Sequence, residues 1–301
     1  MGIGTHGLSR VTDYVGRIEA GGIDAAAQIT VNAPAPALRL LDGDNGLGPA
    51  VAGRARAAAA EAARDCGIGA AFVTGGSHLG ALAPYLYLAA EDGFAAITMT
   101  NTAPMIAPAG GAAARIGNNP VGFAVPDPDG AHFILDMALS TVSRSRVRAA
   151  ARENRPIPAD WATDADGRPT TDAAAALTGL MRAIGGDKGA GLALGIDLLL
   201  GVLGGAAMLT EVPNAANIPS EAQNLGQVFI LIDADRLLPT EGRRERFDAA
   251  RHMLATTPPI DADRAVRMPG DRALASLRKA EADGVEIDVA LLDRLRTFAG
   301  R

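Results

Sequence analysis

Two short glycine-containing segments carry the residue types best suited to binding an acid and moving a proton. His78 lies in Gly75-Gly76-Ser77-His78-Leu79-Gly80, and Arg10 ends Thr5-His6-Gly7-Leu8-Ser9-Arg10. An imidazole has a reference pKa of about 6.5, so it can accept or donate a proton near neutral pH. The planar fork of an arginine can hold a carboxylate through two parallel hydrogen bonds. Together these segments could bind a small acid and transfer a proton to or from it.

Each of these residues also has a purely structural interpretation. His78 follows a predicted strand at residues 70–74, and a histidine in such a loop can cap a helix as well as catalyse a reaction. An arginine near the start of a chain, such as Arg10, can simply be solvated. His132, in a predicted strand, and His252, in a predicted charged helix, have no convergent partner in the sequence. We interpret both as structural.

Two glycine-rich segments could contact a nucleotide. Gly2-Ile3-Gly4-Thr5-His6-Gly7 matches G-x-G-x-x-G, but no strand precedes it, so a Rossmann fingerprint is not supported. Gly185-Gly186-Asp187-Lys188-Gly189 places Lys188 at the entrance of an apolar helical region, where a cation and a helix N-terminus could meet phosphate oxygens. The P-loop pattern is missing there, so nucleotide hydrolysis has no support. No spacing of His, Cys or acidic residues predicts a metal site.

The elements that must position these residues do not alternate regularly. The sequence predicts helices at 10–20, 50–65, 79–92, 140–153 and 189–209, and in a charged tail from Glu241 with breaks at Pro258-Pro259 and Pro269-Gly270. It predicts strands at 38–42, 70–74, 94–100, 121–125, 132–137 and 227–233. Pro34 and Pro36 should interrupt regular structure before the first strand. This pattern indicates a mixed α/β fold.

The composition limits the class of protein. Hydrophobic residues make up 48% of the 301 residues, enough for a sizeable core. The net charge is −6 and no run of Lys or Arg stands out, which argues against a nucleic-acid partner. Residues 189–209 are apolar but contain Asp197 and several glycines, so we expect one buried helix or two short ones, and no membrane association. The single cysteine, Cys66, fits a reducing cytoplasm.

Ten short segments, most of them polar or glycine-rich, follow one another along the chain. They are Thr5–Arg10, Gly76–Gly80, Thr100–Pro104, Ile116–Pro120, Leu135–Ser140, Trp161–Gly167, Pro169–Asp172, Gly185–Gly189, Gln223–Gln227 and Met268–Gly270. Their order resembles the malate/L-lactate dehydrogenase family, and the resemblance extends over essentially the whole sequence.

The resemblance implies a particular fold and activity. The family has its own mixed α/β fold, distinct from the Rossmann fold, and usually forms homodimers. Its members use NAD or NADP to move a hydride to or from C2 of a small 2-hydroxy or 2-oxo acid of the malate, lactate, sulfolactate or ureidoglycolate type. Cyclic-imine carboxylate reductases belong to the same family and stay open as an alternative.

The resemblance also assigns roles to residues. It implies that His78 transfers the proton and that Thr5, His6 and Arg10 line the substrate pocket. Asp187 stands where many members have His, and its negative charge beside Lys188 would disfavour the phosphate of NADP. The residues implied to hold the cofactor are Thr102, Asn119, Asp136, Met137, Ala138, Asp187, Lys188, Pro269 and Gly270.

We expect three regions along the chain. Residues 1–65 form a substrate-side segment, residues 66–225 the NAD(P)-binding region, and residues 226–301 a strand and helices that complete the first region. Family members usually have a helical segment before the first motif, so the sequence predicts an incomplete N-terminal region. The rival interpretation is therefore a catalytically impaired homologue, which weak cofactor affinity in a cooperatively folded protein would reveal.

Overall fold

The computed structural model describes residues 1–261 and 263–300. Within these residues the strands are β1 (Thr30–Ala35), β2 (Leu38–Asp42), β3 (Ile68–Gly76), β4 (Phe94–Thr100), β5 (Val121–Val125), β6 (Phe133–Met137) and β7 (Leu225–Asp233). They form one seven-stranded sheet in the order β1-β2-β3-β7-β4-β5-β6. Strands β2 and β3 are parallel, and the other neighbours are antiparallel. Because β7 enters between β3 and β4, residues distant in the sequence meet in the middle of the sheet.

Helices lie on both faces of this sheet and beyond its edges. In the described residues they are α1 (Arg10–Glu19), α2 (Gly48–Cys66), α3 (Ala83–Glu91), α4 (Arg144–Arg152), α5 (Ala173–Ala176), α6 (Asp187–Leu198), α7 (Thr240–Ala255), α8 (Asp271–Asp283) and α9 (Val289–Ala299). A 3₁₀ turn at Gly4–His6 precedes α1, and a π-helical turn at Leu199–Leu203 extends α6. Helix α2 ends at Cys66 and is capped by Gly67, whose φ of 83° is the left-handed conformation favoured at helix C-termini.

The main core lies between one face of the sheet and helices α2 and α3. Ala55, Ala59 and Ala63 of α2 are completely buried there. A Cβ on Gly69 of β3 would lie 2.1 Å from the carbonyl oxygen of Ala59, so the helix packs directly on the strand. This close approach explains how a protein with only 4% aromatic residues fills its core.

The opposite face of the sheet is covered only in part. Helix α6 and the π-helical turn pack Ala193 and Leu200 against Val228 of β7. Beside them a row of apolar side chains crosses five strands and is only partly buried; we call it the open sheet face. Leu38 and Phe123, at its ends, are 43% and 38% exposed. The register gives its members as Leu38, Ala70, Ile230, Ile97 and Phe123.

The mixed α/β prediction is confirmed, and the absence of a Rossmann fingerprint agrees with the sheet. The segment Gly2–Gly7 enters a short 3₁₀ turn and connects no strand to a helix. The predicted strands at 38–42, 94–100 and 121–125 have the observed bounds. Strand β7 joins strands from earlier regions of the chain in one sheet, while the division into three regions stays a prediction.

The prediction that Pro34 and Pro36 interrupt regular structure is correct in part. Residues 30–35 form β1 despite Pro34, because an edge strand tolerates a residue that cannot donate to the ladder. The pairing of β1 with β2 is nevertheless irregular between Asn32 and Ala35, and Pro36 lies in the turn that follows.

Two helices begin later than predicted. The helix predicted from Leu79 begins at Ala83, with Pro84 in its first turn, which leaves residues 77–82 as a loop. The helix predicted from Ser140 begins at Arg144, and the short helix α5 was not predicted.

The apolar region 189–209, predicted as one buried helix or two short ones, forms one α-helix and a π-helical turn. Helix α6 runs from Asp187 to Leu198, and the π-helical turn ends it at Leu203. Among the residues that the structure describes, no helix is both long and apolar enough to span a bilayer.

Candidate active site

The main chain of His78 is fixed by contacts with three other segments. The Ser77 hydroxyl donates to the carbonyl of Gly46 at 2.8 Å, and the Gln227 amide donates to the carbonyl of Ser77 at 3.3 Å. A Cβ on Gly48 would lie 2.2 Å from the carbonyl oxygen of His78, so the first turn of α2 presses on this loop. Strand β3, strand β7 and helix α2 therefore hold His78 rigidly, as a catalytic group requires.

The imidazole ring of His78 is contacted by two residues from the start of the chain. Its Nδ1 lies 2.9 Å from the hydroxyl of Tyr14. The ring of His6 stacks on it with the centroids 5.5 Å apart and an interplanar angle of 25°. The fold therefore brings the first two motifs together, although 72 positions separate these histidines in the sequence.

His78 is surrounded by groups that disfavour its charged form. Burial, followed by the charges of His6, Arg10 and Arg17, lowers the pKa of His78 to about 4. The imidazole is therefore neutral at neutral pH. A neutral imidazole has one nitrogen lone pair available and can act as a base.

The residues predicted to line the substrate pocket form a hydrogen-bonded turn. The Thr5 hydroxyl lies 2.9 Å from Nδ1 of His6, and Nε of Arg10 donates to the carbonyl of Thr5 at 2.8 Å. Nη1 of Arg10 donates to Asp13 at 2.9 Å, an exposed ion pair. Desolvation and the Arg10 charge lower the pKa of His6. The Arg10 guanidinium thus holds the turn together and places its positive charge near both histidines.

A second arginine, Arg17, was not identified from the sequence. Its side chain is buried, and it donates to the amide oxygen of Gln223 at 2.7 Å and to the carbonyls of Gly22 and Glu221 at 2.8 Å. No carboxylate among the described residues pairs with it. Its charge therefore remains uncompensated near His78. The available signal was its location on the buried side of α1, seven residues after Arg10.

The loops after β4 and before β5 are joined by Thr102 and Asn119. The amide oxygen of Asn119 accepts from the main-chain nitrogen of Thr102 at 3.0 Å. The Thr102 hydroxyl donates to Asn118 at 2.9 Å. Asn119 itself is completely buried and also donates to the carbonyl of Ala193 in α6. Asn119 therefore positions the Thr102 loop and α6, while Thr102 is partly exposed.

A buried carboxylate, Asp197 of α6, organises the same region and was also missed as a site residue. It is completely buried and accepts hydrogen bonds from Asn101 at 3.2 Å and from Asn119 at 3.0 Å. It also accepts from the main-chain nitrogen of Leu209, whose φ of 52° is unusual for a branched residue. In the sequence, Asp197 is only an acidic residue within an apolar run, and that pattern does not specify its hydrogen-bond partners.

The segment Asp136-Met137-Ala138 connects the two sides of the site. Asp136 accepts a hydrogen bond from the main-chain nitrogen of Ala83, at the start of α3, at 2.9 Å. Burial raises the pKa of Asp136, although this hydrogen bond and the charge of His6 oppose the shift. Met137 is partly buried against the α6 cluster, and Ala138 is partly exposed. Asp136 thus lies on the same side of the site as His6, close enough for the two to interact electrostatically.

Beyond this segment the chain leads to the N-terminus of α6. The next residue, Leu139, donates to the carbonyl of Asn118 at 2.7 Å and accepts from the nitrogen of Ile184 at 2.9 Å. Asp187 and Lys188 follow in the first turn of α6 and are both exposed. Thr102, Ala138 and Lys188 are therefore connected through one hydrogen-bonded group of loops.

Pro269 and Gly270 lie against β6, at the edge of the sheet. The main-chain nitrogen of Ile134 donates to the carbonyl of Pro269 at 3.1 Å. Gly270 has a φ of 105°, and a Cβ there would lie 2.9 Å from the carbonyl oxygen of His132. Only glycine allows this approach. The turn at Pro269 and Gly270 therefore packs directly against β6, the strand that carries Asp136.

The residues present fit a pyridine dinucleotide. Lys188 makes no hydrogen bond or ion pair within the described residues, and it lies in the first turn of a twelve-residue helix, where the helix dipole favours an anion. Gly185 and Gly186, both with a φ of 63°, leave the space next to this turn open. A cation and free main-chain nitrogens are the donor set that a pyrophosphate requires. No group of His, Cys, Asp and Glu suited to a metal ion occurs in the described part of the chain.

Comparison with known proteins identifies the family. The family model for malate/L-lactate dehydrogenase matches residues 1–296. The L-sulfolactate dehydrogenase of Methanocaldococcus jannaschii is 34% identical over 98% of this chain and 84% of its own length. The solved structure of a sulfolactate dehydrogenase from that organism superposes with a TM-score of 0.90, at 33% identity, over 99% of this chain and 86% of that chain.

Two bacterial relatives match over similar lengths. A (2R)-3-sulfolactate dehydrogenase (NADP(+)) of Chromohalobacter salexigens is 32% identical over 99% of this chain and 86% of its own. A Delta(1)-pyrroline-2-carboxylate reductase of Pseudomonas fluorescens is 32% identical over 97% of this chain and 85% of its own length. The fold and these relatives define an NAD(P)-dependent oxidoreductase acting on small 2-hydroxy or 2-oxo acids. The chain belongs to the malate/L-lactate dehydrogenase family.

Proposed function

We propose that this protein catalyses reversible oxidation of a small 2-hydroxy acid to the 2-oxo acid at the site formed by His78 and the Thr5–Arg10 turn. When bound, the nicotinamide ring of NAD or NADP accepts the C2 hydride in oxidation and supplies it in reduction. The observation that supports the site most directly is a neutral, rigidly held His78 in contact with His6 and close to the charge of Arg10.

In oxidation, His78 removes the proton of the C2 hydroxyl. Its neutral imidazole is suited to this step because the surrounding positive charges disfavour the imidazolium. In reduction, the protonated ring returns the proton to the oxygen at C2. An acid bound beside the ring brings a negative charge, which would stabilise the imidazolium and help that step.

Arg10 holds the substrate carboxylate. Nη2 of Arg10 makes no hydrogen bond within the described residues, while Nε and Nη1 hold Thr5 and Asp13. A carboxylate can replace the exposed Asp13 and pair with the fork. Thr5 and His6 complete the pocket by offering a hydroxyl and an imidazole next to the same guanidinium. Fixing the carboxylate orients C2 toward His78.

In this proposal the loops that join Thr102, the Asp136-Met137-Ala138 segment and α6 would hold the cofactor. Lys188 and the first turn of α6 would bind its pyrophosphate, while Asp187 would reduce affinity for an additional phosphate. Asn119 acts by positioning Thr102. The turn at Pro269 and Gly270 completes the wall of the cofactor site next to β6.

A panel of 2-hydroxy and 2-oxo acids, each tested with both cofactors, tests the proposal through the absorbance of reduced nicotinamide. We expect turnover with at least one acid of the malate, lactate, sulfolactate or ureidoglycolate type. A second candidate, reduction of a cyclic imine carboxylate, is favoured by the similarity to the pyrroline-2-carboxylate reductase. Turnover of a cyclic imine with no hydroxy-acid oxidation would select it, and cofactor binding without any turnover would indicate an impaired homologue.

A second copy of the chain is proposed to cover the open sheet face, giving a homodimer. This row of five apolar residues has no charge in it and is about 19 Å wide, from the usual strand spacing of about 4.8 Å. Its two ends are exposed and its middle is half-buried, and an apolar patch on the surface of a protein often marks an interaction site. Sedimentation of the protein at micromolar concentration should give a dimer, and Phe123→Glu should give a folded monomer, whereas Val202→Glu, outside the sheet, serves as the exposed apolar control. A wild-type monomer would contradict the proposal.

The cytoplasm is the proposed location. The support is compositional, since the single cysteine cannot form a disulfide within the chain. Cell fractionation with an antibody to the protein tests it, and recovery of the protein from the cell exterior would contradict it.

A further inference from the structure

We infer that Tyr14 is a positioning residue that accepts a hydrogen bond from Nδ1–H of His78 and so leaves the Nε2 lone pair of the ring to face the substrate. This inference rests on the proposed function of His78 and goes beyond it by specifying which ring nitrogen reacts. Tyr14 lies on α1, one helical turn after Arg10, so the residue that binds the carboxylate and the residue that orients the base share one helix face.

The distances place the Tyr14 hydroxyl at a single nitrogen. Its oxygen is 2.9 Å from Nδ1 of His78, and the two ring centroids are 6.0 Å apart. In the described part of the chain this hydroxyl has no other hydrogen-bond partner in the protein. The ring of His6 lies stacked against the imidazole, so the rotation of the His78 ring is limited both by a hydrogen bond and by a stacking contact.

The direction of this hydrogen bond decides whether His78 can be the base. A neutral imidazole has one N–H donor and one acceptor nitrogen. If Tyr14 donated to Nδ1, then Nε2 would carry the proton and could not accept another. If Nδ1–H donates to Tyr14, then Nε2 is free to take the hydroxyl proton. Once it has done so, both nitrogens are protonated and the bond to Tyr14 persists without rearrangement.

A neutral partner has a different effect on His78 from that of a carboxylate. A carboxylate at Nδ1 would stabilise the imidazolium and raise the histidine pKa. Burial raises the pKa of Tyr14, so the phenol keeps its proton at neutral pH. The charged groups that face His78 are His6, Arg10 and Arg17, and Asp13 and Asp136 interact electrostatically with Tyr14 and His6. Tyr14 therefore orients the ring without adding a charge.

The test uses Tyr14→Phe, which removes one hydroxyl and keeps the ring, with Tyr87→Phe as the control. Tyr87 lies on α3, beside His132 and Glu91 and away from His78. The first measurement is ¹⁵N NMR of the protein labelled at its four histidines, assigned with a His78→Gln sample. In the wild type we expect a protonated Nδ1 and an unprotonated Nε2 at neutral pH. In Tyr14→Phe we expect the Nε2–H tautomer to gain population.

The second measurement is steady-state kinetics of hydroxy-acid oxidation. We expect kcat of Tyr14→Phe to fall about 10- to 100-fold, because a wrongly protonated or misoriented base cannot react. KM for the acid, cofactor affinity and the Tm should change little, and Tyr87→Phe should keep the wild-type kcat. The tautomer can be measured whether or not the chain oxidises a hydroxy acid, so failure of the proposed function shows separately as absent wild-type turnover.

Three results would overturn the inference. They are a wild-type His78 with its proton on Nε2, a kcat of Tyr14→Phe within about twofold of the wild type, and a fall in kcat without any change in the tautomer.

Discussion

Asn119 donates to Asp197 across 3.0 Å, and both side chains are completely buried. Asn119 also fixes Thr102, and Asp197 also accepts from the main chain at Leu209. One buried carboxylate thus connects the proposed cofactor loop to the helix that carries Lys188. No cation pairs with Asp197 among the described residues, so hydrogen bonds satisfy its buried carboxyl group.

Asp197→Asn should destabilise the protein by about 1–3 kcal/mol, because an amide group replaces an acceptor that faces three donors. Urea unfolding measures this change. The surface variant Asp166→Asn is the control, since Asp166 is exposed. Cofactor affinity should fall in parallel for Asp197→Asn. Unchanged stability would mean that the region can rearrange its hydrogen bonds.

His78→Gln should lower kcat for hydroxy-acid oxidation by about 10²–10⁴-fold, because glutamine cannot transfer a proton. Cofactor affinity should survive, since the proposed contacts lie on other loops. Measuring the Tm alongside kcat separates loss of chemistry from loss of folding. Near-normal turnover in a well-folded variant would show that His78 is not the base.

The pH dependence follows from the pKa of His78, which burial and three neighbouring positive groups lower to about 4. Oxidation needs the neutral ring, so kcat/KM should rise with pH up to about 5 and then stay level to neutrality. The free energy of unfolding should also rise with pH. The pKa of His78 in the folded protein lies below the reference value of 6.5, so the unfolded state binds the proton more tightly. The contribution is present above about pH 6.5 and is lost as the pH falls toward 4. An oxidation profile that rises only near pH 6.5 would disagree.

Arg10→Ala should raise KM for the acid about 10- to 100-fold, the effect of losing a charge-assisted pair of roughly 1.5–3 kcal/mol. It should also shift the oxidation profile to higher pH, because the Arg10 charge is one of the causes that lower the pKa of His78. Arg10→Lys is the matched variant: it retains the charge and loses the fork, so KM should rise while the profile stays in place. A loss of cofactor affinity in Arg10→Ala would indicate a structural role.

Lys188→Ala should weaken cofactor binding about five- to tenfold, because a cation next to a helix N-terminus contributes about 1 kcal/mol to holding a phosphate. Asp187→Asn should strengthen binding of NADP more than that of NAD. Fluorescence titration with each reduced cofactor measures both, and Lys279→Ala on α8 is the control. Equal affinities in all three variants would place the pyrophosphate elsewhere.

The sequence determined the class of the fold and the positions of most elements. The patterns that predicted β2, β4 and β5 are local: short apolar runs bounded by turn residues, with β-branched residues in β4 and β5. The ordered motifs also carried the family, which the match over residues 1–296 confirms. Strand β1 was beyond this reasoning because whether proline is tolerated depends on lying at a sheet edge, which is a property of the whole sheet.

Only the tertiary structure decided how the proposed site is assembled. The sequence identified His6, Arg10 and His78 as candidates, but the number of residues between them does not give their distance in space. The sheet order brings β7 between β3 and β4, so Gln227 supports the His78 loop. Tyr14, Arg17 and Asp197 act through burial and hydrogen bonds to distant segments. Burial and long-range contacts set the pKa of a group and the partner of a polar atom, and a residue's sequence neighbours do not specify either.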